Sequence, residues 1–289
     1  MSIFKNLALY GTKDLVANAI IYMVLAGSFF TVFWVIFKKK FQNRRIQPNR
    51  RKQSASVKSE IINSLIALLV FTVVDILIYV AQLKGYTRIY TNINQYGWVY
   101  LIFSVAAMIL MHDAWFYFTH RLMHHPILYR HVHRVHHQST DTSPFTGLSM
   151  HPFEVLMDAG IFVVFAFLFP VHMVALWVWQ LIHMTLNVIG HLGYEIYPKG
   201  FNRHWLFKLK TTSTHHNMHH ERSAGNYGFY FTWWDKIFNT EFKNYHDVYD
   251  AIHERADKAE SANNAPTNSR LRSLYVSDNR LNPITKKAS

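Results

Sequence analysis

The sequence predicts an all-α protein, a multi-pass membrane helical bundle that carries a histidine-rich helical cap on its cytoplasmic side. Three observations predict it. Of 289 residues, half are hydrophobic and only 16% are charged, against about a quarter in an ordinary soluble chain. Long apolar runs recur, several of them closed by polar or basic residues. All 19 histidines lie between His112 and His253, and 17 of them between His112 and His220, so a histidine-free anchor precedes a histidine-rich remainder.

The formal charge of +13 sits largely in loops beside the apolar runs, where Lys and Arg act as topology signals, so no nucleic-acid partner is expected. The chain has no cysteine. That excludes disulfides, iron–sulfur clusters, thiolate-ligated haem and cysteine-ligated zinc, and leaves nitrogen and oxygen as the available metal ligands.

A spanning helix needs roughly 20 mostly apolar residues. Residues 15 to 37 meet that length without a charge and stop at Lys38, Lys39 and Lys40. The run exceeds the apolar stretch of a signal peptide and has no small-residue cleavage site, so it reads as a retained anchor. Residues 61 to 83 form the second span, with Asp75 as their one acid. The stretch 38 to 58 between them holds nine Lys or Arg and no acid, which assigns it to the cytoplasm. Residues 96 to 120 return the chain to that side, and the apolar stretch 155 to 190, broken by FPVH at 169 to 172, forms a hairpin that leaves on the side it entered. Three histidine groups then share one face. The expected organisation is an anchor over 1–95, a histidine-rich domain over 96–245 and a flexible tail over 254–289, the tail being poor in apolar residues.

On a helix, positions i, i+3 and i+4 share a face. His133, His136 and His137 have that spacing, as do His216, His219 and His220, while His120 and His124 stand one turn apart. Neutral imidazole is the commonest side-chain ligand of first-row transition metals. Eight exceed one site, which takes three or four protein ligands, so two metals is the economical count. His191, at the exit of the hairpin, makes a ninth, and Asn187, one turn earlier, offers an oxygen directly or through water. Asp113, two turns before His120, is a candidate carboxylate partner for a ligating imidazole, with Asp235 a further one. His131, His183 and His215, beside the groups, are candidates to support a ligating ring or to replace one in another register, and the isolated His112, His125, His172, His204, His246 and His253 read as ordinary core or surface residues.

HRLMHH, HRVHH and HHNMHH resemble the three histidine boxes of the membrane fatty acid hydroxylase/sterol desaturase superfamily, and HDAWFYFTHR, MHPFE, GHLGYEIYP and GNYGFYFTWWDKIFNT extend the resemblance over residues 96 to 245. It implies two iron ions, with zinc able to take their place, held by His120, His124, His133, His136, His137, His191, His216, His219 and His220. Some relatives carry a further histidine where this chain has Asn187. The implied activity is O2-dependent hydroxylation or desaturation of a lipid, and MHPFE leans toward sterol C-5 desaturases and C-4 methyl oxidases. No flavin, nicotinamide or haem fold is evident, so an external electron donor, cytochrome b5, ferredoxin or a reductase, is expected, at a bacterial inner membrane or the endoplasmic reticulum. Two other readings compete. A metal-handling or transport protein would spread its ligands along the spans, and a scaffold with a dead site would be indifferent to His136→Ala or His219→Ala.

Overall fold

The computed structural model describes residues 3–48 and 55–264. Among them, four helices are long and apolar enough to cross a membrane: Ile3–Ile36, Val57–Leu83, Gly97–Met123 and Met173–Gly190. The first is α-helical over Ile3–Phe30 (α1) and relaxes into a π-helical turn at Thr31–Ile36. The next two are α2 (Val57–Leu83) and α3 (Gly97–Met123). The hairpin is α4 (Pro152–Leu168) and α5 (Met173–Gly190). Two further helices, α6 (Ser213–Arg222) and α7 (Tyr245–Asn264), complete the cap.

Local chemistry sets the helix ends. Ser56 and Ser59 form a reciprocal capping box that starts α2. Pro152 occupies the first turn of α4, where its missing N–H costs nothing. His172 Nδ1 accepts from Val174 N (3.1 Å) to open α5, and Thr212 Oγ1 accepts from His215 N (3.2 Å) to open α6.

Helix α1 packs on α2 and α5, α2 on α4, and α3 on both arms of the hairpin. One core gathers Tyr22 and Ala26 of α1, Ala67 and Leu68 of α2, Phe145 and Leu148 of the loop before α4, and Val188 of α5. The other joins α3 to the hairpin through Met108, Phe165 and Trp179. Gly160 lets α3 approach α4 closely, since a Cβ there would stand 2.5 Å from Trp115; the indole N–H also donates to Met157 O (3.1 Å). Apolar side chains left outside, such as Leu69, Val73 and Leu77 on α2 or Val99 and Ile102 on α3, are exposed, as expected where lipid tails replace water.

The two ends of the bundle differ. At one end β1 (Ile89–Tyr90) pairs in parallel with β2 (Val171–His172), in the register Ile89↔Val171 and Tyr90↔His172. At the other end α1, α3 and α5 finish, α2 and α4 begin, and the cap sits. There the buried Glu60 of α2 accepts from Ser139 (2.6 Å), Ser143 (2.5 Å) and Thr146 (3.0 Å), which fixes the polar loop after the second histidine group. Arg45 reaches Asp141 (2.5 Å). The described part of the basic stretch, 38–48, therefore lies at the histidine end.

Three expectations change. The first apolar helix begins at Ile3, well before residue 15. Residues 254 to 264, placed in a flexible tail, continue α7 instead, while 265 to 289 lie outside the described residues. Helix α7 is too polar to announce itself by composition, yet Tyr245, Tyr249 and Ile252 recur at helical spacing and are buried, and Arg255 clasps the carbonyls of Asn43 and Arg45. Finally, His133, His136 and His137 are not on an α-helix. A π-helical turn covers Tyr129–His133, and a 3-10 turn covers His136–Gln138. These turns follow Pro126 and run into the turn-forming STDTSP at 139–144, which leaves no length for a regular helix.

Candidate metal centre

The nine histidines singled out from the sequence meet at the capped end, sorted into two adjacent groups. One holds His120, His124, His133, His137 and His219; the other holds His136, His191, His216 and His220. Within each group the candidate ligand atoms lie within 4.8 Å of one another. Each HX2HH box feeds both groups. Its i, i+4 pair, His133 with His137 or His216 with His220, stays together, and the intervening residue, His136 or His219, joins the other group. His120 reaches the first group from the last turn of α3, His124 caps that helix, and His191 caps α5.

The rings are held from behind. Nδ1 of His120 donates to Tyr227 O (3.0 Å), of His136 to Ser149 O (3.3 Å), of His191 to Asn187 O (2.8 Å), of His219 to Gly225 O (2.7 Å) and of His220 to Ser139 O (3.0 Å). His133 Nδ1 faces Glu154 Oε1 at 2.8 Å. A carbonyl or carboxylate oxygen has no proton to give, so Nδ1 carries the hydrogen and Nε2 carries the lone pair. Those lone pairs face each other, with Nε2 of His120 3.1 Å from that of His133 and Nε2 of His191 3.3 Å from that of His136. The remaining Nε2 contacts run from 2.8 Å between His216 and His191 to 3.2 Å between His220 and His216. Bare nitrogens at such separations repel unless a cation lies among them. Four nitrogens bound to one metal at about 2.0–2.1 Å stand about 3.3 Å apart, so the donor sets fit metal ions.

Burial makes these imidazoles better ligands. Loss of hydration, followed by the neighbouring rings, holds His133, His136, His137, His216, His219 and His220 well below the ordinary histidine range. Burial likewise lowers His191 to about 4. At neutral pH all of them are uncharged, the form that coordinates.

The other candidates fall elsewhere. Asp113 does not touch an imidazole: its Oδ1 accepts from the backbone N–H of Tyr230 (2.9 Å) and Phe231 (3.1 Å). Asp235 accepts from Tyr227 N (2.8 Å), Gly228 N (2.8 Å) and Thr240 Oγ1 (2.7 Å). Both acids brace the loop whose Gly225 and Tyr227 carbonyls receive His219 and His120, so they support the rings at one remove. His215 lies outside both groups, on the Asp235 side, with its Nε2 3.6 Å from the carboxylate. The Asn187 side chain donates to Gly147 O (3.0 Å), and its service to the rings comes through its own carbonyl.

Sequence reasoning missed Glu154, the carboxylate behind His133, although MHPFE displayed it. It also missed Glu195, whose buried carboxylate accepts from Thr214 N (2.9 Å) and Thr214 Oγ1 (2.7 Å) and so fixes the start of α6. Beside the rings lies a narrow cavity of about 20 Å³ bounded by members of both groups, including His120, His133, His136 and His216, and by Phe116 and Leu148.

The fatty acid hydroxylase family model matches residues 105–240. Among curated relatives, a putative methylsterol monooxygenase of Dictyostelium discoideum is 32% identical over 237 residues, covering 82% of this chain and 84% of its own. A Delta(7)-sterol 5(6)-desaturase of Gibberella zeae is 29% identical over 239 residues, covering 82% and 69%. Methylsterol monooxygenase 1 of Danio rerio is 33% identical over 144 residues, 50% of this chain and 48% of its own, so the match spans about half the length of that relative. No solved structure matches the chain. With its histidine boxes, its apolar helices and these relatives, the chain belongs to the fatty acid hydroxylase family, the superfamily that includes the sterol desaturases and methylsterol monooxygenases.

Proposed function

We propose that this chain is a membrane-embedded oxidoreductase that uses O2 to hydroxylate or desaturate a lipid, with a sterol-like substrate favoured. One observation carries the reading: two groups of bare imidazole nitrogens converge at one end of a membrane bundle, beside a cavity that Phe71, Phe116, Met123, Leu148 and Met150 also line. The names of the relatives support the sterol preference. Nitrogens gathered at one end, rather than spread along the spans, give no support to a transport role.

Two iron ions are assigned to the groups, one held by His120, His124, His133, His137 and His219, the other by His136, His191, His216 and His220. Iron there supplies the activation of O2 needed to attack an unactivated C–H bond. The residues do the rest. Carbonyls and Glu154 fix each ring's tautomer and direction, burial keeps the rings neutral, and Phe71, Phe116, Leu148 and Met150 line the cavity and keep water from the reacting carbon. Hydroxylation consumes O2, two electrons and two protons and yields alcohol plus water; desaturation yields alkene plus two waters. Those electrons come from an external donor, a cytochrome b5, ferredoxin or reductase. The basic residues of 38–48 at the histidine end support a cytoplasmic active site, at a bacterial inner membrane or the endoplasmic reticulum.

Lipid mass spectrometry of a deletion strain, complemented with the intact gene or with His136→Ala, tests the function. The reading expects one lipid class to lose a +16 or −2 mass change on deletion and to regain it only with the intact chain. An unchanged lipid profile sinks it.

A further inference from the structure

We propose that the paired segments 203–211 and 229–238 form a foot that sinks into the headgroup boundary of the histidine-side leaflet and takes anionic phospholipid headgroups on Arg121, Lys208 and Lys236. The foot does not depend on the reaction catalysed. Its depth is set by α3. Oδ1 of Asp113 accepts from the backbone N–H of Tyr230 (2.9 Å) and Phe231 (3.1 Å), and Asp113 lies ten residues before Met123, where α3 ends. At 1.5 Å per residue that is about 15 Å back along a spanning helix, so the second segment descends past the end of α3 toward the bilayer. The first segment goes with it: Thr211 N donates to Tyr230 O (3.1 Å) and Thr232 N to Leu209 O (2.7 Å).

The foot continues a surface that already faces lipid. Trp234 packs on Phe118 with ring centroids 5.3 Å apart, and Phe238 on Tyr117 at 5.6 Å, while Phe118 and Leu122 stay exposed on α3. Beside them Trp205 is 76% exposed and Ile237 63%, with Leu206, Phe207, Leu209 and Phe238 also exposed. An apolar patch of this kind is a liability in water. Aromatic and aliphatic side chains mixed with lysine at the end of a spanning helix are the pattern of the membrane–water interface.

Charge selects the lipid. Between Glu195 and Glu221 the chain holds Lys199, Arg203, Lys208 and Lys210 and no acid. Lys199 and Arg203 turn to Asp257 and Asp250 of α7 at 2.7 and 2.9 Å, and Lys210 Nζ donates to Thr211 O (3.1 Å). Lys208 is left exposed. Lys236 Nζ donates to Lys208 O (3.3 Å) and stands 3.9 Å from Glu241, and Arg121 lies over the Phe238 ring at 5.4 Å. Such long side chains keep their stems among acyl chains and their charges at the headgroups, and positive charge so placed favours an anionic headgroup over a zwitterionic one. The loop that carries the foot also supplies the Gly225 and Tyr227 carbonyls to His219 and His120, so the leaflet that holds the foot sets the depth of the rings.

The test uses the full-length, metal-loaded chain in nanodiscs of phosphatidylcholine with and without phosphatidylglycerol. The chain has no native cysteine, so Leu206→Cys takes an environment-sensitive fluorophore at one place, and Lys258→Cys, exposed on α7, serves as the control. The label at 206 is expected to be quenched by lipids bearing a nitroxide near the headgroup and spared by a water-soluble nitroxide, and the label at 258 to show the reverse. Spin-labelled phosphatidylglycerol is expected to quench the 206 label at about tenfold lower mole fraction than spin-labelled phosphatidylcholine, and Lys208→Gln to cut that ratio about fivefold, the effect of one cation at an anionic surface. Lys208 lies outside both histidine groups, so metal content is expected to be unchanged in that variant. Aqueous quenching of the label at 206 in both membranes, equal quenching by the two lipids, or a ratio unchanged in Lys208→Gln overturns the proposal. A label shielded from lipid and water alike, with unlabelled Leu206→Cys chains linking in pairs, identifies a second copy of the chain as the occupant and overturns it too.

Discussion

Glu154 shows how one side chain orients a candidate ligand that it does not replace. Its Oε1 holds Nδ1 of His133, which fixes the proton on that nitrogen and aims the lone pair of Nε2 at the group. Glu154→Gln keeps an acceptor but removes the charge that strengthens the imidazole as a donor to metal. Loss of such a partner typically costs 10–100-fold in metal affinity. Chelator competition on the purified chain should show one metal leaving at about tenfold lower chelator concentration while the other is retained. Equal retention of both by the variant would count against this role. His136→Ala and His133→Ala should likewise each weaken a different metal, since the two residues belong to different groups; metal content per chain distinguishes them.

At the scale of the element, the loop 225–240 behaves as a second frame for the rings. Its carbonyls receive His219 and His120, and its own backbone is pinned by Asp235 and Asp113. Asp235→Asn replaces one acceptor oxygen with an N–H2 facing a backbone N–H. It should cost about 1–3 kcal/mol of stability and loosen metal in the group that holds His120 and His219 more than in the other. Thermal unfolding with and without chelator reads both effects. The HX2HH boxes carry a related lesson. The second box was legible as an α-helix because Thr212 caps a ten-residue segment rich in helix-compatible spacing. The first was not, since a π turn and a 3-10 turn carry its histidines, although they divide His136 from His133 and His137 just as α6 divides His219 from His216 and His220. Local propensity does not encode that division; packing of each ring against its carbonyl does.

For the whole molecule, burial of so many imidazoles links stability to pH. An unfolded histidine titrates near 6.5, whereas the buried rings are held below that, His191 at about 4. Below pH 6.5 the unfolded chain binds more protons than the folded one, so the metal-free protein loses stability as pH falls from about 6.5 toward 4. The apparent Tm of the chelated chain should drop between pH 7.5 and 5.5 and that of the metal-loaded chain should drop less. A flat Tm for the chelated chain would contradict the neutral-ring account. The asymmetry of the two ends gives a further test, made clean by the absence of native cysteine. Cysteines introduced as Lys40→Cys, at the histidine end, and Tyr86→Cys, 69% exposed at the other, should react with impermeant maleimide from opposite sides of sealed vesicles, with Lys40→Cys on the cytoplasmic side.

Sequence alone determined the long apolar helices, the hairpin broken at Phe169–His172 and the nine imidazoles, because hydrophobic length and residue chemistry are local properties of a chain. Tertiary structure decided which imidazole faces which, that Asp113 and Asp235 serve a loop rather than a ring, that Glu154 stands behind His133, and that the polar segment 245–264 folds as a docked helix. Those outcomes depend on where distant carbonyls and carboxylates arrive once the helices pack, for example Ser139 O at His220 across 81 positions of sequence. Spacing along one strand of chain cannot carry that information, since each ring's direction is set by a partner from another element.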